Sequence, residues 1–332
     1  MSQTVLVQAR IGYRRHREIL ALLAILACLA GCTTGMLKTS TSAAAPPGPA
    51  TPAAGLVTPQ AGAAAPRLGA VSWPADGTSA ADISGIGVVD GSAANRQVPI
   101  ASVAKLMTAF VILQDHPLSG GGSGPDITVE PAEAAAYPAQ ARDGDSLVAV
   151  AAGEVISERQ ALEALLLPSA DNIAWILARW DAGSQAAFAA KMNAAARRLG
   201  MTGTSYTDAS GLDSSTVSTA ADQARLGMAA MQVPALAAIT AMPTAVVPVI
   251  GTIHNTNTLL GQDGIVGLKT GSTQAAGGCL LAAAREEVNG RTVLVVAATF
   301  GQPGTAGTIL PHALQAGHDL VRDLDRALGA GT

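Results

Sequence analysis

Apolar residues recur every three or four positions through the middle of the chain, which is the spacing of one helix face. Capping signals support this interpretation: Ser157 and Gln160 form a capping box, and Thr219 stands three residues before Asp222. We expect Ser169 to open a helix of its own. The predicted helices cover residues 102–114, 161–167, 173–180, 184–199, 219–231 and 310–328.

Toward both ends the pattern changes to short apolar runs separated by turn residues, as in strands. Near the start, residues 86–89 and 97–100 predict a strand pair, and near the end Asn289-Gly290 is a hairpin signal. Strands at both ends with helices between predict an α+β fold, with an antiparallel sheet from N- and C-terminal segments and a helical insertion over about 116–240. The later predicted strands cover residues 245–253, 265–269, 278–284 and 291–299.

Residues 1–32 have the features of an export signal. Three arginines precede an apolar run over residues 19–31, which is too short to span a bilayer as a helix. The run ends in Leu-Ala-Gly-Cys, which resembles the lipobox of bacterial lipoproteins and would make Cys32 the lipidated residue. An ordinary cleaved signal or an uncleaved anchor is the alternative. We therefore expect an exported protein at the outer face of the cytoplasmic membrane or in the cell wall, held to the membrane by lipid or by its signal.

Residues 33–68 are rich in Ala and Pro and almost without charge, so they cannot bury enough surface to offset the entropy of ordering. This composition predicts a disordered tether and a folded domain over residues 69–332. Of the three cysteines, Cys28 would leave with the signal and Cys32 would carry lipid, so only Cys279 would remain and no internal disulfide could form.

Composition excludes two broad classes of protein. Hydrophobic residues make up 49% of the 332-residue chain and charged residues 13%, which excludes general disorder. The formal net charge of -4 leaves no cationic excess for nucleic acid. The five histidines show no ligand-like spacing, so we expect neither a metal nor another cofactor.

Lysine is scarce: the chain has four lysines against sixteen arginines. A desolvated lysine can lose its proton and serve as a base, whereas arginine cannot. Only Lys105 stands three residues after a serine, Ser102, at the start of a predicted helix. That spacing puts both side chains on one helix face, where the amine can activate the hydroxyl and the helix N-terminus can stabilise an oxyanion.

A second cationic motif, Lys269-Thr270-Gly271, ends a predicted strand just before Ser272. A cation, a hydroxyl and a small residue on an edge strand suit a substrate with a terminal carboxylate that lies along the strand. Taken alone, the motif favours a polar strand end that enters a turn.

With Ser169-Ala170-Asp171 between them, these motifs resemble the S-x-x-K, S-x-N and K-T-G signature of penicillin-recognising serine enzymes, and the chain is most similar to D-alanyl-D-alanine carboxypeptidases. The resemblance implies a β-lactamase/transpeptidase-like fold, peptidoglycan stem peptides as substrates and β-lactam antibiotics as acylating ligands.

The resemblance also implies a role for each motif residue. Ser102 would be the nucleophile, Lys105 the base and Ser169 a proton donor to the leaving amine. The backbone N–H groups of Ser102 and Ser272 would form the oxyanion hole. The residues that would bind substrate are Lys269, Thr270, Gly271, Ser272 and Asp171.

The middle motif departs from the family pattern, because Asp171 stands where Asn is usual and Asn172 follows it. An amide both donates and accepts hydrogen bonds, whereas a carboxylate only accepts and favours the ammonium form of a nearby lysine. Either Asn172 takes the place by a local shift, or Asp171 is tolerated, or activity is low. We expect tolerance.

Two other functions share these motifs. A class A β-lactamase needs a glutamate after the middle motif, but no glutamate occurs between Asn172 and His254. A non-catalytic penicillin-binding wall lipoprotein would draw its only support from Asp171. The sequence therefore favours a serine carboxypeptidase that trims the terminal D-alanine from stem pentapeptides.

Overall fold

A computed structural model describes residues 66–330 of the chain, apart from residues 120 and 249. The export signal, the proposed lipidation site Cys32 and nearly all of the tether lie outside the described residues. The strands of the described part are β1 (Thr78–Ile83), β2 (Gly87–Asp90), β3 (Val98–Pro99), β4 (Asp126–Thr128), β5 (Val155–Ser157), β6 (Val217–Ser218), β7 (Thr244–Val247), β8 (Gly251–His254), β9 (Ile265–Thr273), β10 (Gly277–Val288) and β11 (Arg291–Gln302). The helices are α1 (Ala104–Asp115), α2 (Pro131–Asp143), α3 (Glu158–Leu166), α4 (Asp171–Ala182), α5 (Gln185–Arg198), α6 (Ala220–Ala230), α7 (Pro234–Thr240) and α8 (Ile309–Ala330).

The main sheet has five antiparallel strands in the order β2-β1-β11-β10-β9. Its first two strands come from the N-terminal part of the domain and the other three from the C-terminal part, with helices in between. This topology confirms the predicted α+β class and the sheet built from both ends. Strand β9, which carries the Lys269 motif, forms one edge of the sheet.

Both faces of the sheet are covered, which explains why its strands are apolar on both sides. On β10, Leu280 and Ala282 pack into the cluster that includes Leu324 of α8, whereas Leu281 and Ala283 pack into the larger cluster with α1. The successive side chains of a strand point to opposite faces, so a single strand serves both layers. The sheet is thus a middle layer between α8 and the helices that hold the first two motifs.

Several local signals hold. Ser157, Ser184 and Thr219 each accept a hydrogen bond from a backbone N–H in the first turn of α3, α5 and α6 respectively. Asn289 and Gly290, with φ of 52° and 71°, form the two-residue turn between β10 and β11. Positive φ at both turn positions matches the strand twist, which is why this dipeptide predicts a hairpin.

The predicted strand pair at the N-terminus is wrong in its partner. Strand β2 pairs with β1, and the 97–100 segment contributes only β3, which pairs with β6. Strand β1 escapes a reading of periodicity because its Thr, Ser and Ala side chains are small and buried on both faces. Without a polar face there is no alternation to detect.

The structure differs from the prediction in further ways. The predicted strand over residues 245–253 is a hairpin of β7 and β8, since Pro248 interrupts it and Gly251 takes a φ of +86°. Helix α2 is absent from the prediction because it buries no side chain and has no apolar stripe. Helix α7, only seven residues long, is also absent from the prediction.

None of the helices in the described part of the chain combines the length and hydrophobicity that a bilayer crossing requires.

Cys279 is a free, fully buried thiol on β10. Burial raises the pKa of this thiol to about 12, so it stays protonated at neutral pH and is inert. Cys279 is therefore a structural residue and not a reactive thiol.

Candidate active site

The serine–lysine pair lies where a short 3-10 turn, Ala101–Val103, runs into α1. Ser102 is half-buried in the turn, and Lys105, the second residue of α1, is fully buried. The Lys105 Nζ donates a hydrogen bond of 2.8 Å to the Ser102 Oγ. The predicted contact between the two side chains is therefore formed, and it follows directly from their three-residue spacing.

Lys105 has two more hydrogen-bond partners. Its Nζ donates to Asp171 Oδ1 at 2.6 Å and to the carbonyl oxygen of Ser210 at 2.8 Å. The side chains of Lys105 and Asp171 are 0% and 4% exposed, so this ion pair is almost completely shielded from water. Three oxygen atoms thus surround the buried Lys105 amine, as many as an ammonium group has hydrogens.

The structure resolves which residue of the middle motif faces Lys105. Asp171 begins α4; its Oδ2 accepts a 2.9 Å bond from the backbone N–H of Ser146, and its own N–H donates to the Ser146 carbonyl at 2.7 Å. The side chain of Asn172 instead pairs with the backbone of Val148 in both directions. Asn172 therefore does not replace the asparagine of the family pattern, and the carboxylate of Asp171 occupies that place.

Ser169 lies just before α4 but does not cap it. The N-cap is Ala170, without a side-chain cap bond, so the prediction that Ser169 opens this helix is wrong. Ser169 has a φ of 69°, in the left-handed region that serine rarely adopts. Its hydroxyl is buried and finds no hydrogen-bond partner in the described part of the chain. A strained residue with an unpaired buried hydroxyl is typical of a functional site.

Lys269 lies on β9 and is fully buried, with its Nζ donating to the carbonyl of Thr270 at 3.0 Å. Burial lowers the pKa of Lys269 well below 10.5, and the charge of Lys105 lowers it further, whereas Asp171 opposes the shift. An effect of the Lys105 charge on Lys269 requires that the two lysines lie near each other. The two scarce amines of separate motifs are thus brought to the same region.

The rest of the β9 motif adjoins the nucleophile. A β carbon added to Gly271 would lie 3.0 Å from the backbone nitrogens of both Ser102 and Val103, so a larger residue would have to displace this backbone by a few tenths of an ångström. The Thr270 hydroxyl is buried and bonds to the Thr256 hydroxyl at 2.6 Å, while Ser272 is exposed. Strand β9 therefore runs directly alongside the turn that holds Ser102.

One contributor was not assigned a role from sequence, namely the loop 208–212. The Asp208 carboxylate accepts hydrogen bonds from three backbone N–H groups of this loop, and the Ser210 carbonyl then binds Lys105. Gly211, with a φ of +79°, packs so closely that an added β carbon would lie 1.9 Å from the carbonyl oxygen of Ala101. The Asp-x-Ser-Gly run was the available signal, since aspartate commonly binds the backbone of the turn that follows it.

The sequence profile of the family described as peptidase S11, D-alanyl-D-alanine carboxypeptidase, matches residues 81–301, which contain all three motifs. The chain belongs to this family. A D-alanyl-D-alanine endopeptidase of Pseudomonas aeruginosa is 34% identical over 256 residues, covering 70% of this chain and 78% of the relative. A D-alanyl-D-alanine carboxypeptidase of Mycobacterium tuberculosis is 34% identical over 238 residues, covering 69% of this chain and 75% of the relative.

Structure comparison agrees with the family at the level of fold. A variant of a Streptomyces DD-transpeptidase matches with a TM-score of 0.66 and 24% identity, covering 76% of this chain and 98% of the transpeptidase. The protein is accordingly a penicillin-binding serine hydrolase of the D-Ala-D-Ala carboxypeptidase family, whose members act on the cell wall. The relatives are named for different reactions, namely an endopeptidase, a carboxypeptidase and a transpeptidase, so their names do not define a single reaction for this chain.

Proposed function

We propose that the protein removes the terminal D-alanine from peptidoglycan stem pentapeptides through an acyl-enzyme on Ser102. The observation that carries this proposal is the buried amine of Lys105 at 2.8 Å from a half-exposed hydroxyl, with Gly271 of β9 packed against the same turn. A nucleophile beside a positioned base, next to an edge strand, suits attack on an extended peptide.

Acylation begins when Lys105 accepts the Ser102 proton and Oγ bonds to the carbonyl carbon of the penultimate D-alanine. The backbone N–H groups of Ser102 and Ser272 stabilise the oxyanion. Ser169 supports departure of the terminal D-alanine, since its free hydroxyl can pass a proton to the leaving amine. Water then hydrolyses the ester and frees Ser102.

Specificity for a C-terminal carboxylate comes from β9. Lys269 supplies positive charge and Thr270 a hydroxyl. Strand β9 lies at the edge of the sheet and passes beside Ser102 at Gly271, so its edge is available to the backbone of a bound peptide. A buried cation is a strong partner for a carboxylate because little water screens the pair. β-Lactams carry a carboxylate next to a reactive amide and acylate the same serine.

The protein acts outside the cytoplasmic membrane, where its substrate lies. The signal in residues 1–32 supports export, and lipidation of Cys32 would hold the enzyme at the membrane while residues 33–68 let it reach the wall. The folded domain is proposed to span residues 69–332, with a helical subdomain over about 116–240.

The decisive experiment measures D-alanine release from a purified stem pentapeptide by the wild type and by Ser102→Ala. We expect the variant to lose at least about 10³-fold in rate and to lose labelling by a fluorescent penicillin. Release and labelling unaffected by Ser102→Ala would refute the proposal. Cleavage of a cross-linked muropeptide without D-alanine release would assign endopeptidase activity, and rapid turnover of a chromogenic cephalosporin would assign β-lactamase activity.

A further inference from the structure

The three hydrogen bonds of Lys105 suit an ammonium group, a resting form that cannot act as a base. An ammonium group has three donors and no lone pair, and all three donors are used, toward Ser102 Oγ, Asp171 Oδ1 and the Ser210 carbonyl. In the ammonium form Lys105 donates to Ser102 and cannot accept its proton. Lys105 must therefore lose one proton before Ser102 can attack.

Only one of the three acceptors is a plausible destination for that proton. Among the three acceptors the Asp171 carboxylate is by far the strongest base, and it lies 2.6 Å from the Lys105 Nζ, whereas a peptide carbonyl and a serine hydroxyl are protonated only in strong acid. Desolvation of both partners penalises the ion pair relative to a neutral amine beside a neutral acid. The short contact gives the proton a direct path, and the burial favours transfer within the pair.

We propose that Asp171 is a positioning residue that holds the Lys105 proton during acylation, an inference that rests on the proposed function of Ser102. First, an N–H bond of Lys105 breaks and an O–H bond forms on Asp171 Oδ1. Next, Ser102 Oγ bonds to the substrate carbonyl carbon, its proton moves to the Lys105 amine, and the carbonyl electron pair moves to the oxygen.

The protons of the acylation step balance without any external reagent, and water is needed only afterwards, to hydrolyse the ester on Ser102. When the tetrahedral intermediate collapses, the carbonyl re-forms, the carbon–nitrogen bond breaks, and the leaving nitrogen takes a proton from Lys105, with Ser169 as a relay. Asp171 then returns its proton to Lys105 and the resting ion pair is restored. An asparagine at this position, as in the family pattern, has no site that could hold the proton.

Two other titratable groups interact electrostatically with the pair. Lys269 approaches from β9, and its own pKa is lowered partly by the charge of Lys105. Asp145 approaches from the segment before Ser146, and burial and the charge of Asp171 raise its pKa. No other element contributes a charged group to the hydrogen bonds of the pair within the described residues.

The test is the pH dependence of Ser102 acylation by a fluorescent penicillin in wild type, Asp171→Asn and Asp171→Glu. We expect Asp171→Asn to acylate about 10²-fold more slowly near pH 6, with the acidic limb of its rate profile moved to higher pH. Asp171→Glu keeps a carboxylate and should keep the wild-type limb at a reduced rate. The matched control is Asp319→Asn, which removes a negative charge from the exposed side of α8, on the opposite face of the sheet, and should keep the wild-type profile.

A rate in Asp171→Asn equal to or above that of the wild type, with the limb unmoved, would overturn the proposal. Thermal unfolding identifies a variant that fails to fold; Asp171→Ser then replaces it as the carboxylate-free variant, with the same expected and contradicting results. Failure of the proposed function is a separate outcome, because labelling that survives Ser102→Ala would displace the nucleophile whatever Asp171 does.

Discussion

The fate of each lysine shows how a single residue type carries information in a chain that otherwise uses arginine. Lys105 and Lys269 are buried in the candidate site, whereas Lys191 lies on the surface in ion pairs with Asp181 and Asp115. Lys38 lies outside the described residues. Two lysines therefore occupy positions where a removable proton is chemically useful, and Lys191 has the ordinary surface role.

Lys269 gives a residue-scale prediction about pH. Since its pKa is lowered well below 10.5, it loses its charge as pH rises through that lowered value, and binding of a substrate carboxylate should weaken there. The KM for a stem pentapeptide, measured across the alkaline range, should rise before pH 10.5. In Lys269→Arg the charge persists, so a rise of KM at the same pH in this variant would contradict the assignment.

The lowered pKa of Lys269 also predicts how the free energy of unfolding should change with pH. Between the lowered pKa and 10.5 the unfolded state binds more protons at this lysine than the folded state does, so stability should increase with pH in that window. Each unit by which the pKa is lowered corresponds to about 1.4 kcal/mol. Thermal unfolding of Lys269→Met should lack this alkaline increase, and an identical increase in the variant would place its origin elsewhere.

At the scale of elements, the site depends on how closely an edge strand approaches a helix start. Substitution Gly271→Ala would place a β carbon against the backbone of Ser102 and Val103, which cannot move as a flexible side chain could. We expect acylation to slow on the order of 10²-fold through displacement of the nucleophile, measured with a fluorescent penicillin. The matched control, Gly307→Ala, meets open space and should not change the rate. An unchanged rate in Gly271→Ala would show that the approach is not essential.

At the scale of the whole molecule, two packed layers share one sheet but differ in their relation to the site. Leu324 of α8 and Leu106 of α1 are both fully buried, in different clusters. Changing either to Ala should cost about 2–5 kcal/mol in the free energy of unfolding, measured with denaturant. Only Leu106→Ala, next to Lys105, should also slow acylation of the folded protein; equal slowing by Leu324→Ala would show that the layers are coupled.

The sequence by itself determined what depends on near neighbours. Spacing along a helix placed Lys105 beside Ser102, capping residues marked where α3, α5 and α6 begin, and Asn289-Gly290 marked a hairpin, because each of these depends on contacts within a few residues. The α+β class followed in the same way, from the order of local patterns.

Only the tertiary structure decided what depends on residues far apart in the chain. The structure decided that Asp171, and not Asn172, faces Lys105. It also decided which carbonyl oxygen binds the Lys105 amine and how deeply Lys269 is buried. The pairing of β1 with β2 and β11 was hidden for a different reason, because the small residues of β1 are buried on both faces of the sheet and leave no periodic signal. Distances and desolvation arise from packing, and packing is a property of the assembled chain.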